Sequence, residues 1–367
     1  MKRSAVRFIA IALLLGVIAI VAETPPSGDR NLYQAIGRHL VVLDCHDVHC
    51  FRILVAPILE HLPGPSLFKW KAYAVVANSA AAIALGQLCL TLGLSPRAAG
   101  FATWISAFGF GSLQSIFDPY TSDPLMYLIG PLMMSDLLRG RVTRAGAIGS
   151  VGVLAKEFAA VPLWMFALMS ALRRRWDMAA RATLAALTAT LVWLTVQTVF
   201  MTLYNYSYGG NPSVNLLGGG YFAVWLSALG WPRATAYLFL AFGPLFVLLI
   251  VGLLRAGGTL RLLALSSLPP AVAFAYVQQP DRALWNFHFV VIPIAMLVLQ
   301  ELPDRMCWLF VIAFGTANLR LGDNQPAIVE WLRLVMLALS IALAVIASAA
   351  AVRRHRASAG SAEVSRE

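Results

Sequence analysis

Between residues 7 and 350 the chain is a succession of apolar runs separated by short polar or basic interruptions. The runs fall roughly at 7–22, 71–93, 98–116, 122–138, 145–172, 180–203, 234–254, 261–277, 283–300, 304–319 and 328–350. A helix crosses a bilayer with about 20 apolar residues, or somewhat fewer where it is short or the membrane is thin. The runs lack the two-residue alternation of a membrane β-barrel. The predicted fold is therefore all-α, a polytopic transmembrane helix bundle. One long interruption, 23–70, has helical periodicity of its own. Tyr33, Gly37 and Leu40 recur at helical spacing, and Phe51, Leu54, Val55 and Ile58 share a face before Pro63-Gly64. Both segments are expected to be interfacial helices lying on the membrane. Residues 353–367 are polar and predict a disordered tail behind a transmembrane domain over 1–352. The basic start and first apolar run also fit a signal peptide. The Ile20–Ala22 end is a poor cleavage site, so an uncleaved first helix is expected.

Composition agrees with the pattern. Hydrophobic residues make up 59% and charged residues 12%, against about 25% charged in soluble domains, too little polar surface for a water-soluble globule. The net charge of +11 would suggest nucleic acid in a soluble chain. Here the arginines sit in short loops between apolar runs, where they set topology, and no nucleic-acid partner is expected.

Placing Lys2, Arg3 and Arg7 in the cytoplasm puts Arg97, Arg139, Arg141 and Arg144 there too. The run 145–172 would then carry Arg173, Arg174, Arg175 and Arg181 outside, against the positive-inside rule. Lys156 and Glu157 lie in the middle of that run, and two charges at the centre of a membrane helix are costly. A turn at Lys156-Glu157 makes the run a hairpin of two short helices and returns both Arg clusters to the cytoplasm. The alternative is one long helix with a buried Lys–Glu pair and inverted downstream topology. The hairpin reading has about 12 crossings, with both termini cytoplasmic. The expected location is a bacterial inner (plasma) membrane, multi-pass, with the active face periplasmic.

That external face collects the chemistry. By themselves its residues have ordinary readings: Asp29 as a helix N-cap, Asp118 and Asp123 as turn residues before prolines, Arg282 and Arg320 as interfacial anchors. Together they make a candidate site. Asp29 is a carboxylate placed as a general base. Asp118 and Asp123 are placed to bind substrate or a cation. Lys156, Glu157, Arg282 and Arg320 surround a position for one lipid phosphate, which guanidinium groups hold bidentately. The stretch "DCHDVHCFR", Asp44 to Arg52, admits three readings. One is a Cys45–Cys50 bridge in an oxidising compartment. Another is a metal bound through Asp44, His46, Asp47 or His49, although the spacing matches no standard zinc site. The third is a polar loop walling the acceptor site. Cys89 and Cys307 read as packing residues.

The order of these features resembles the GT-C superfamily of integral-membrane glycosyltransferases, of the protein mannosyltransferase or aminoarabinose transferase kind. The matching stretches are "GDRNLYQAIGRHL", "FRILVAPIL", "FDPYTSDPLMYLIGPL", "GVLAKEFAAVPL" followed by "RRR", and "DRALWNFHFVVIPIA". They cover roughly residues 1–300, and their order and sidedness are more specific than any one of them. The resemblance implies a polyprenyl-phosphate-linked sugar as donor and a glycan, lipid or protein as acceptor. It implies Asp29 as catalytic base, and Lys156 and Arg282 beside the lipid phosphate. Many relatives have two adjacent acidic residues in the first loop, whereas Arg30 follows Asp29 here, which keeps Asp44 and Asp47 as alternative bases. No cofactor is implied with certainty, and a divalent cation stays open. The other function classes are a transporter or lipid flippase, which needs a midplane site and usually repeated halves, a structural or assembly membrane protein, and an acyltransferase. No repeat is visible.

Overall fold

The structure is a computed structural model and describes residues 2–26, 28–207, 231–274, 280–322 and 325–364. Among these residues there is no strand, in keeping with the all-α expectation. The chain runs through α1 (Lys2–Val21), α2 (Gly28–His39), α3 (Val55–Glu60), α4 (Ser66–Thr91), α5 (Pro96–Ala107), α6 (Phe110–Phe117), α7 (Asp123–Leu138), α8 (Val142–Gly152) and α9 (Val161–Leu172). It continues through α10 (Trp176–Tyr204), α11 (Trp231–Phe242), α12 (Pro244–Arg255), α13 (Gly258–Phe274), α14 (Pro280–Trp285), α15 (His288–Leu299), α16 (Asp304–Ala317) and α17 (Ala327–Val364). Four of these, α1, α4, α10 and α17, are long and apolar enough to cross a membrane. Large apolar side chains such as Leu13, Leu191 and Trp331 stay exposed on their outer faces. Such faces carry no penalty against lipid tails, which are as apolar as leucine.

Several apolar runs break where a continuous helix is expected. The run 98–116 divides at Gly109, where the Trp285 ring occupies the space a Cβ would need. The run 234–254 divides at Gly243, whose φ of 52° is left-handed, with Pro244 opening α12. Only glycine takes that conformation without steric cost. The run 283–300 divides after Trp285, so Trp285 and His288 lie on different helices.

The run 145–172 turns at Lys156-Glu157. Gly149 lies against Leu163 and Gly152 against Ala159, a register that makes α8 and α9 antiparallel. Both pack on α10. The single long helix with a buried Lys156–Glu157 pair is not adopted. Each of the two charges has a partner from another part of the chain.

Two other expectations change. The second interfacial helix is shorter than its periodicity suggests. A single turn of 3-10 helix, Val48–Phe51, precedes α3, and the buried side chains of α3 are Val55, Ala56 and Leu59, with Ile58 exposed. It packs under α2, where Gly37 leaves room for Glu60. The polar stretch after Arg353, expected to be disordered, continues α17 to Val364. It is rich in alanine, the strongest helix former, and Arg354 pairs with the buried Glu301.

The bundle has two unlike polar ends. At one, Arg97 binds Asp304 and the carbonyls of Gln300 and Leu302, Arg255 binds Glu301, and Arg173 binds Thr259. At the other lie the first loop, the turn before α7, the α8–α9 turn and the start of α14, where the candidate site forms.

Candidate functional site

Asp123 is the first residue of α7, and Pro124 holds that first turn. Its side chain is only 2% exposed, which makes its partners decisive. A buried carboxylate persists only when it is paired and hydrogen-bonded. Lys156 Nζ donates to Oδ1 at 2.5 Å. Arg282 Nε and Nη2 donate to Oδ2 at 3.1 and 2.9 Å, and Nη2 also reaches Thr121 Oγ1 at 3.1 Å. The Arg282 amide donates to Asp281 Oδ1, which fixes the start of α14.

Arg52 completes this half of the site. It follows the 3-10 turn, is buried, and its Nη2 lies 3.4 Å from Glu157 Oε1. Burial, the largest single influence, would lower its pKa, but Glu157, Tyr33 and Asp123 together outweigh it and hold it above the ordinary arginine value. The Leu54 amide donates to the Leu154 carbonyl, joining the first loop to the α8–α9 turn. Three cations, Arg52, Lys156 and Arg282, thus share two carboxylates, Asp123 and Glu157. Counted over these ion pairs the excess is positive, and the Tyr33 hydroxyl is buried beside the Arg52 guanidinium.

The other half is acidic. Asp29 lies in the first turn of α2, where the helix dipole favours a carboxylate. His49 Nε2 is 3.8 Å from Asp29 Oδ2. The other ring nitrogen, Nδ1, is 2.5 Å from Asp47 Oδ1, and the same oxygen accepts the His49 amide at 2.8 Å. The side-chain bond from His49 lowers the Asp47 pKa. Tyr33 meets the His49 ring edge-on. Asp118, at the end of α6, has a buried Oδ1 with no hydrogen-bond partner. Burial raises its pKa; Arg282 opposes the shift, and Asp29 and Asp123 add to it.

The structure therefore brings Asp118, Asp123, Lys156, Glu157 and Arg282 into one electrostatic neighbourhood, with Asp29 beside it. It divides the "DCHDVHC" loop. A Cys45–Cys50 disulfide closes that loop, with the Cα atoms 6.1 Å apart. Asp44 accepts from Asn205 and His46 bonds Ser207, so both turn toward the end of α10. Asp47 and His49 turn toward Asp29. His46 and His49 thus serve different neighbours, and among the described residues no group of three or more His, Cys, Asp and Glu side chains is arranged to hold a metal. Arg320 also stands apart from Asp123: it bonds Gln114 Oε1 and lies over the Phe117 ring. Arg30 lies over Tyr120.

Sequence reasoning passed over Arg52 and gave His49 only a metal role. The available signal for Arg52 was a basic residue within an external loop, against the positive-inside trend.

No protein-family model matches the chain, and no curated protein matches it. Two solved structures, both of the Archaeoglobus fulgidus oligosaccharyltransferase, resemble it. The apo form is 13% identical with a TM-score of 0.49, covering 94% of this chain and 56% of that one. The form tethered to an acceptor peptide containing the NVT sequon is 12% identical with a TM-score of 0.44, covering 94% and 55%. The chain thus spans about half the length of that enzyme. A likeness of this size carries no weight for function, which rests on the side chains.

Proposed function

We propose that the protein is an integral-membrane glycosyltransferase. It moves a sugar from a polyprenyl-phosphate donor to a glycan, lipid or protein acceptor, in a bundle of about 12 crossings in a bacterial inner membrane. The reaction takes place on the periplasmic face, the side of the first loop. The observation that carries this reading is the division of one site into a cationic half and an acidic half. The donor phosphate fits the half where Arg52, Lys156 and Arg282 outnumber their carboxylates. Asp29 in the other half takes the proton from the acceptor hydroxyl. The acceptor oxygen attacks the anomeric carbon as the bond to the phosphate oxygen breaks. That bond's electron pair leaves with the phosphate, where fixed cations stabilise the growing charge. One displacement inverts the anomeric centre. It needs one carboxylate and a cationic clamp, in contrast to the paired carboxylates of glycoside hydrolysis. Asp47 accepts from the His49 amide and Nδ1 and so orients the His49 ring toward the Asp29 carboxylate. A transporter would place its polar groups near the midplane, whereas these gather at one end of the bundle.

The test is mass spectrometry of purified protein incubated with polyprenyl-phosphate sugars and acceptor, wild type against Asp29→Asn. Loss of general-base catalysis should lower turnover about 10²–10⁴-fold while the variant still retains the lipid. Undiminished turnover would move the base to Asp47 or Asp44. Wild type that neither binds nor consumes any polyprenyl-phosphate sugar would overturn the reading.

A further inference from the structure

The α9–α10 hairpin carries a feature that the glycosyl-transfer site does not use. Trp164, Ala167 and Ala171 of α9 face Trp176, Ala179 and Thr183 of α10 across an open, apolar groove of about 450 Å³. Small residues on both helices make the depression, and a tryptophan closes each end. Trp176 is 67% exposed, so its ring is available to a ligand. From Trp164 to Ala171 the groove runs about 10 Å along the helix, a segment of one acyl chain.

One end is strongly charged. The turn from α9 to α10 is Arg173-Arg174-Arg175, and Arg181 follows one helical turn into α10. Arg173 is spent on Thr259. The side chains of Arg174, Arg175 and Arg181 are exposed and make no hydrogen bond or ion pair among the described residues. Arg174 has a φ of 58°, a left-handed conformation that favours glycine, so the chain keeps a cation where the backbone would prefer none. Asp177 is the carboxylate in this first turn of α10.

We propose that this groove is a binding site for an anionic diacyl phospholipid, its phosphodiester held by Arg174 and Arg175 and one acyl chain lying between the two tryptophans. Charge complementarity selects the headgroup, and the apolar groove selects the chain. The polyprenyl-phosphate donor does not fit this polarity. Its phosphate belongs near Lys156, beyond the opposite end of α9, whereas the charged end of the groove is the Arg end. The lipid therefore belongs to the leaflet opposite the glycosyl-transfer site.

The experiment is native mass spectrometry of the purified full chain exchanged into detergent with phosphatidylglycerol or phosphatidylcholine of identical chains. Wild type should retain one phosphatidylglycerol with a preference above about tenfold, since each arginine near a phosphate is worth about fivefold in affinity. The double variant R174Q/R175Q should lose that preference, and R174K/R175K should keep most of it. Ala180→Leu, which fills the groove from its α10 side, should weaken retention of both lipids while leaving the Arg cluster intact. Equal retention of the two lipids by wild type would overturn the site, as would an unchanged preference in the Gln variant. Displacement of the bound lipid by added polyprenyl phosphate would also overturn it, by assigning the groove to the donor's tail. If the Gln variant does not fold, the wild-type comparison and Ala180→Leu still decide.

Discussion

Asp123→Asn isolates one charge. Asparagine has nearly the same shape, so packing stays and only the negative charge goes. In the wild-type protein Lys156 and Arg282 both depend on this carboxylate, through bonds of 2.5, 2.9 and 3.1 Å. Removing one partner of a buried ion pair costs about 3–5 kcal/mol, because the remaining charge stays out of water. Here two cations lose their counter-charge. Arg282 keeps Thr121, and the new amide oxygen still accepts one bond, so the expected loss is at the lower end, about 3 kcal/mol. Equilibrium unfolding in mixed micelles, titrated with a denaturing detergent, measures it. The double variant Asp123→Asn/Lys156→Met removes one stranded cation. It should be more stable than the sum of the single effects by over about 1 kcal/mol, the scale of coupling between contacting residues. A single variant within about 1 kcal/mol of wild type, or an additive double variant, would refute the idea that Asp123 is the electrostatic keystone of this end.

Three further outcomes are expected. The Cys45→Ser/Cys50→Ser variant loses about 2 kcal/mol from the small closed loop, read as a lower midpoint in the same unfolding titration. It should also lose turnover, because the loop no longer presents His49 to Asp29. Asp118 has a pKa raised by burial, so its folded form binds more protons than its unfolded form just above the ordinary aspartate range. Stability therefore falls as pH rises through that window. Asp118→Asn should gain on wild type across it in thermal melts against pH, and parallel curves would contradict this. Asp47 has the opposite sign: its pKa is lowered by His49, so its contribution is present above the ordinary aspartate range and is lost as pH falls through the lowered value. Asp47→Asn should accordingly cost stability near neutral pH and converge with wild type in acid, followed by the same melts.

Sequence by itself determined the class of the fold and the gathering of one set of charged residues at one end of the molecule. Apolar runs without two-residue alternation leave the backbone no partner but itself, which means helices. Two adjacent charges are costly in the middle of a lone membrane helix, so the break at Lys156-Glu157 was legible, and with it the gathering of Asp29, Asp118, Asp123 and Arg282 at one end of the bundle. Tertiary structure alone decided who pairs with whom. Asp123 meets Lys156 and Arg282 across sequence separations of 33 and 159. Arg52 meets Glu157 across 105. One nine-residue stretch sends Asp44 and His46 toward α10 and Asp47 and His49 toward Asp29. The breaks near Gly109 and after Trp285 depend on a neighbour too, since the Trp285 ring packs where the glycine has no side chain. Periodicity reports which face of an element is buried. It carries no information on distances between elements, and electrostatic pairing depends on those distances and on how deeply the charges are buried.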